Sequence, residues 1–236
     1  MKKLFFPLML ALFACTGEET PLIDLTGTWA GLGIGSQGGL RISAVLNHDT
    51  TTGNVNGFIF VENTDHDTLA LSGSARADRF AGIAYGSCAS NVDLTIANDG
   101  NKLTGQSADR PAGDSCHGSD QLTLYRVLPP NQNVTGSWSG TFSGNDGNGT
   151  LDMTLTQSGA VMTGTLLAND GSGTDTNAFN GIVLGDAMFA VATKDSADST
   201  WVLVDVQPSF MDGIFANSNK NTNGTVHITK TAGKKK

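Results

Sequence analysis

The stretch "LTGTWAG", Leu25 to Gly31, returns as "VTGSWSG", Val134 to Gly140. A seven-residue phrase repeated about a hundred residues apart, each time with a Trp between two glycines, limits the chain to architectures built twice. The far ends of the two halves agree. "LTLYR" carries Leu122, Leu124 and Arg126 at period two, and "VHITK" carries Val226, Ile228 and Lys230 in the same places. Each half therefore opens on Gly-x-Trp and closes on an alternating strand that bears a cation.

Between these marks, short apolar or β-branched runs alternate with clusters of Gly, Asn, Asp, Ser and Thr. No dozen residues show the i, i+3, i+4, i+7 pattern of a helix. "TLDMTLTQ" is the clearest strand, with Leu151, Met153 and Leu155 predicted on one face and Asp152, Thr154 and Thr156 on the other. The following Ser158-Gly159 predicts a tight turn and a hairpin over residues 149–168. Thirty glycines in 236 residues, against only six prolines, read as turns. Pro129 and Pro130 fall in a predicted linker, and no Pro interrupts a central strand. Eight strands are predicted between residues 25 and 127 and eight more between 134 and 230, so the fold class is all-β.

The opening and closing strands together resemble those of the calycin superfamily, the lipocalin, fatty-acid-binding and avidin-like barrels. The resemblance implies two tandem, small, antiparallel, up-and-down eight-stranded β-barrels, at residues 24–127 and 133–230 with a linker at 128–132. It also implies that Arg126 lies across the indole of Trp29, and Lys230 across that of Trp138, as structural plugs that close each barrel. A cation on an indole face contributes about 0.5 to 2 kcal/mol. Biotin sites of the avidin branch use several further Trp residues, whereas this chain has only Trp29, Trp138 and Trp201. Biotin is therefore not expected.

At the N-terminus, Lys2 and Lys3 precede an apolar run from Leu4 to Ala14 that stops at Cys15. The run is too short to span a bilayer, which takes about 20 apolar residues, and it reads as a signal peptide over residues 1–14. Leu12-Phe13-Ala14-Cys15 resembles a bacterial lipobox, which implies cleavage before Cys15 and lipidation of its thiol. Residues 15–23 then form the lipidated Cys and a spacer. Thr16, in place of the Asp associated with inner-membrane retention, implies the outer membrane of a bacterial cell envelope. Assigning Cys15 to lipid leaves Cys88 and Cys116 as an even pair in an oxidising compartment, predicted to form a disulfide. Two free thiols or a shared metal are the alternatives.

Removing Lys2 and Lys3 from the 14 Lys and Arg leaves 12 against 22 Asp and Glu, a formal charge of −10. An acidic body without a basic stripe argues against a nucleic-acid partner. "KKK" at residues 234–236 reads as a solvated tail, part of a basic segment at 231–236.

An eight-stranded barrel is just wide enough to fill itself with side chains or to hold one small ligand. The second half carries the larger apolar groups, with Phe142, Phe179, Met188, Phe189, Trp201, Phe210, Met211 and Phe215, against Phe58, Phe60, Phe80 and Tyr85 in the first. These side chains line a pocket or plug it. "DGNGTLD" starts like a calcium loop, but Leu151 stands where Gly is required and Gln157 where a bidentate acid is needed. Asp65, His66 and Asp67, and His48 with Asp49, alternate faces of extended chain, which opposes a shared metal site. No nucleophile elbow, zinc-protease motif or phosphate loop is present, so no catalytic residues, metal site or cofactor are predicted. Two functions are expected to compete. One is a lipid-anchored envelope protein holding a small apolar or amphipathic ligand; the other is a non-enzymatic module with filled barrels that presents loops to a protein partner.

Overall fold

A computed structural model describes residues 22–35, 38–62, 66–86, 88–110, 118–195, 198–217 and 221–231. The expected signal peptide, Cys15, Cys116 and the terminal lysines lie outside these residues. Alternating sequence makes alternating burial. In "TLDMTLTQ", Leu151, Met153 and Leu155 are buried and Asp152, Thr154 and Thr156 are exposed.

The first barrel comprises β1 (Gly27–Gly35), β2 (Gly38–Asp49), β3 (Asn54–Glu62), β4 (His66–Arg76), β5 (Arg79–Tyr85), β6 (Ala89–Ala97), β7 (Lys102–Asp109) and β8 (Ser119–Arg126). The second comprises β9 (Gly136–Gly144), β10 (Gly147–Ser158), β11 (Val161–Asn169), β12 (Thr174–Leu184), β13 (Ala187–Asp195), β14 (Asp198–Val206), β15 (Phe210–Asn217) and β16 (Asn223–Lys230). Within each barrel every strand pairs antiparallel with the next, β8 returns to β1, and β16 returns to β9. Closure removes the unpaired edges that would template aggregation.

Gly31 and Gly140 make that closure possible. A Cβ at Gly31 would overlap the Thr123 carbonyl on β8, and one at Gly140 would overlap the His227 carbonyl on β16. Gly27 and Gly136 act differently. Their φ angles of 140° and 136° admit glycine where the chain bends into β1 and β9.

The register shows the duplication residue by residue. Trp29 pairs with Ala44 and Arg126, and Trp138 pairs with Met153 and Lys230. Stepping outward from these pairs equates His48 with Gln157, Leu71 with Phe179, Asp109 with Asn217, and Asp120 with Gly224.

The barrels touch through their outer walls. Leu32, Tyr125, Ala187, Phe189, Leu203 and Ala216 form one buried cluster across the contact. Phe189 and Trp201 stack there with ring centres 5.7 Å apart, and the Arg41 guanidinium lies 6.0 Å from the Trp201 ring. The sequence pattern counted Phe189 and Trp201 among the interior groups, but both face outward on their strands and are covered by the neighbouring barrel. Phe58, Phe60, Tyr85 and Phe210 are likewise outside and exposed. One anion ties the contact together: Asp205 accepts from Lys102 Nζ at 2.6 Å and from the Tyr125 hydroxyl at 2.7 Å. Burial and this carboxylate push the Tyr125 hydroxyl well above its ordinary pKa, so it remains a donor. The linker is also pinned, because Gly185 N donates to Leu128 O and Asn131 N donates to Gly185 O.

Candidate binding cavities

Each barrel has a floor. Trp29 and Trp138 are 0% and 1% exposed, and their indole nitrogens donate to Leu25 O at 3.0 Å and to Val134 O at 2.8 Å. Arg126 and Trp29 are brought together, with the guanidinium carbon 4.8 Å from the ring centre; Lys230 Nζ stands 5.1 Å from the ring of Trp138. The two cations differ in what else they hold. Arg126 donates to Thr26 O at 2.6 Å, to Gly100 O at 3.0 Å and to Asp24 O, whereas Lys230 reaches Asn133 O at 3.4 Å.

The segments entering β1 and β9 repeat the same bonds. Asp24 Oδ1 accepts from Thr26 N as Asn133 Oδ1 does from Thr135 N, and Thr26 and Thr135 hydroxyls accept from His48 N and Gln157 N. These bonds explain why Leu25 and Thr26, which read as strand, precede β1. Their backbone serves the floor and not the ladder. One position breaks the symmetry. His48 Nδ1 accepts from Leu25 N at 3.2 Å, which places the ring proton on Nε2, and Nε2 is buried with no hydrogen-bond partner among the described residues. At the equivalent place Gln157 accepts from Val134 N at 2.8 Å, and its amide donates to Gln132 O and Gly159 O.

Above each floor lies a cavity, of about 280 Å³ in the first barrel and about 380 Å³ in the second. Ile42, Ala44, Ile59, Leu71, Phe80 and Leu94 wall the first, and Leu151, Leu166, Ala192, Val202, Phe215 and Val226 wall the second. The mouths are polar in different ways. In the first, Asp109 and Asp120 project inward from the ends of β7 and β8, beside Ser90 and Ser107. Ser90 Oγ donates to Asp109 Oδ1 at 2.6 Å. Burial, and secondarily the charge of Asp109, raise the pKa of Asp120, while a hydrogen bond from Ser107 partly offsets the rise. In the second barrel Asp146, Asp170 and Asp175 lie around the mouth. Asp170 is engaged by Ser172 of its own loop, and Asp146 accepts from the Thr222 hydroxyl.

Cys88 lines the first cavity at its mouth, while Cys116, its expected partner, lies outside the described residues. His48 and Asp49 point to opposite faces, Asp49 binding Thr51 and Thr52 in the β2–β3 turn. Asn148, Thr150 and Asp152 all sit on exposed positions of β10 instead of converging on one centre. His227 faces outward and pairs with Asp212. Among the described residues no three His, Cys, Asp or Glu side chains are placed to hold a metal ion. The residues that sequence reading passed over are Ser90, Ser107, Asp109 and Asp120. Their signal was parity: Asp120 shares a face with Leu122 and Leu124, and Ser107 and Asp109 share one with Leu103.

No protein-family model and no curated protein matches the sequence. Solved structures similar in chain course include two at low sequence identity to this chain. One is a protein of unknown function from the DUF3598 family of Nostoc punctiforme, at 10% identity and a TM-score of 0.35 over 88% of this chain and 96% of that one. The other is the isotype 1 transferrin binding protein B of serogroup B Neisseria meningitidis, at 11% identity and a TM-score of 0.33 over 91% of this chain and 78% of that one. At such values neither likeness carries an argument about function.

Proposed function

We propose that this chain is a lipid-anchored protein of the bacterial envelope, a pair of calycin-like containers, each holding a small molecule that is mostly apolar. The observation that carries this reading is the pairing, in both barrels, of a sealed Trp floor with a cavity that has apolar walls and a polar mouth. Pockets that bury small ligands run from roughly 300 Å³ upward, so cavities of about 280 and 380 Å³ suit compact or single-chain molecules. In this reading Cys15 carries the lipid and tethers the barrels to the outer membrane. Cys88 and Cys116 form a disulfide. No step of the reading requires catalysis, a metal or nucleic acid.

The test is native mass spectrometry of the full chain, processed from its own leader in a bacterial host. A reproducible extra mass that leaves on denaturation is expected. The bare chain mass after incubation with envelope extract would overturn the container reading. Cys15→Ser is expected to abolish labelling by a fatty-acid analogue, and persistent labelling would remove the anchor.

A second reading, a module acting through its outer surface, has one observation in its favour. Val45, Phe58, Ala70 and Tyr85 form an exposed row across β2 to β5, with Phe58 53% and Tyr85 49% exposed. The equivalent row of the second barrel is Thr154, Thr165, Ala178 and Thr193. The same spectra distinguish this reading, because it predicts an empty chain whose added mass, if any, is protein.

A further inference from the structure

The two mouths are built on one register, which makes each a control for the other. Ser90, Ser107, Asp109 and Asp120 of the first barrel occupy the places of Thr200, Phe215, Asn217 and Gly224 in the second. The fold therefore closes equally well without either carboxylate. In the second barrel the Phe215 ring fills this region, and a Cβ on Gly224 would come within 2.7 Å of that ring. In the first, a Cβ on Gly35 would overlap the Asp120 carboxylate, so β1 leaves room for an acid where β9, at Gly144, leaves room for a phenyl ring.

Two carboxylates inside a half-closed barrel are costly. Each loses hydration, and each repels the other. Among the described residues that line the cavity none is Lys or Arg, so none of them offsets this with charge. Among the described residues, the hydroxyls of Ser90 and Ser107 engage them. Below the carboxylates the walls are apolar down to Leu46 and Leu103. The cavity is thus anionic at one end and hydrocarbon-like along the rest.

We infer that the first barrel binds a cationic amphiphile, its protonated amine held between Asp109 and Asp120 and its alkyl body lying along the cavity. An ammonium has three donors, enough to bridge both carboxylates, and its charge complements theirs where a carboxylate ligand would be repelled. The inference deepens the container reading and rests on it.

The test is calorimetric titration of the full chain with decylammonium, decanol and decanoate. Decylammonium is expected to bind at least about tenfold more tightly than decanol, the scale of a charge-assisted contact, and decanoate more weakly than either. Asp109→Asn and Asp120→Asn should each reduce that preference. Should D120N fail to fold, D109N carries the test, because the second barrel already has Asn217 at that place. Equal binding of the three, or tighter binding of decanoate, would overturn the cationic ligand and leave the container standing. Saturable binding of none of them, with the chain folded, would overturn both for this barrel.

Discussion

The two barrels agree at the floor and diverge at the mouth. At the floor a Trp, a cation, an Asx residue, a Thr and two backbone acceptors recur with nearly the same bonds. At the mouth an Asp pair with two serines faces Thr200, Phe215, Asn217 and Gly224. Closing a sheet on itself leaves few solutions, because the first and last strands must approach to backbone contact and the open end must be filled. The opposite end carries no such demand, so its side chains are free to differ.

If the floors are equivalent, removing either plug should be equally severe. Trp29→Ala and Trp138→Ala are each expected to cost about 3 to 5 kcal/mol, read by denaturant unfolding with near-ultraviolet circular dichroism. A near-neutral result at one of them would break the equivalence. The next effect belongs to the first barrel alone. Cys88→Ser is expected to cost about 3 to 4 kcal/mol if Cys88 and Cys116 close a loop. An unchanged midpoint with two titratable thiols in the wild type would refute the pair.

A smaller effect of opposite sign is expected at the one flaw in the first floor. His48→Gln copies Gln157 and supplies an amide that can reach neighbouring carbonyls, so it should stabilise by about 1 kcal/mol. Destabilisation would show that the imidazole shape, and not its orphaned donor, matters. The smallest effect is at Asp120. Its pKa is raised on folding, so the folded chain takes up this proton more readily than the unfolded one. The stability tied to that proton is full below the ordinary Asp pKa of about 3.9 and is lost as pH rises through the raised value. Asp120→Asn should therefore stabilise at neutral pH and lose its advantage in acid. A pH-independent difference in melting temperature would argue against a strained carboxylate.

Much of this was legible in the sequence, and the exceptions have physical reasons. Strict alternation in segments such as "TLDMTLTQ" exposes the strand period, because one face is wet and the other dry. The repeat of Trp29 and Trp138 set the two halves in register. The contact between barrels was less visible. Leu32 and Ile34 are apolar on the face of β1 opposite Trp29, and Phe189 is out of phase with Met188 on β13. Such strands are buried on both sides, but apolar residues at both parities do not say what covers the outer face. The sequence pattern therefore assigns Phe189 and Trp201 to the interior. Asp109 and Asp120 escaped notice because polar residues near strand ends resemble turn residues, and only their parity with Leu103 and Leu122 marks them as inward.

The central claim is that the barrels are containers with unlike mouths, and methyl NMR of the full chain titrated with decylammonium tests it most directly. Shifts are expected at Ile42, Ala44, Ala84 and Leu94 of the first cavity before those at Leu151, Ala192 and Val202 of the second. Shifts confined to outward-facing methyls such as Val45, or none at all, would contradict it.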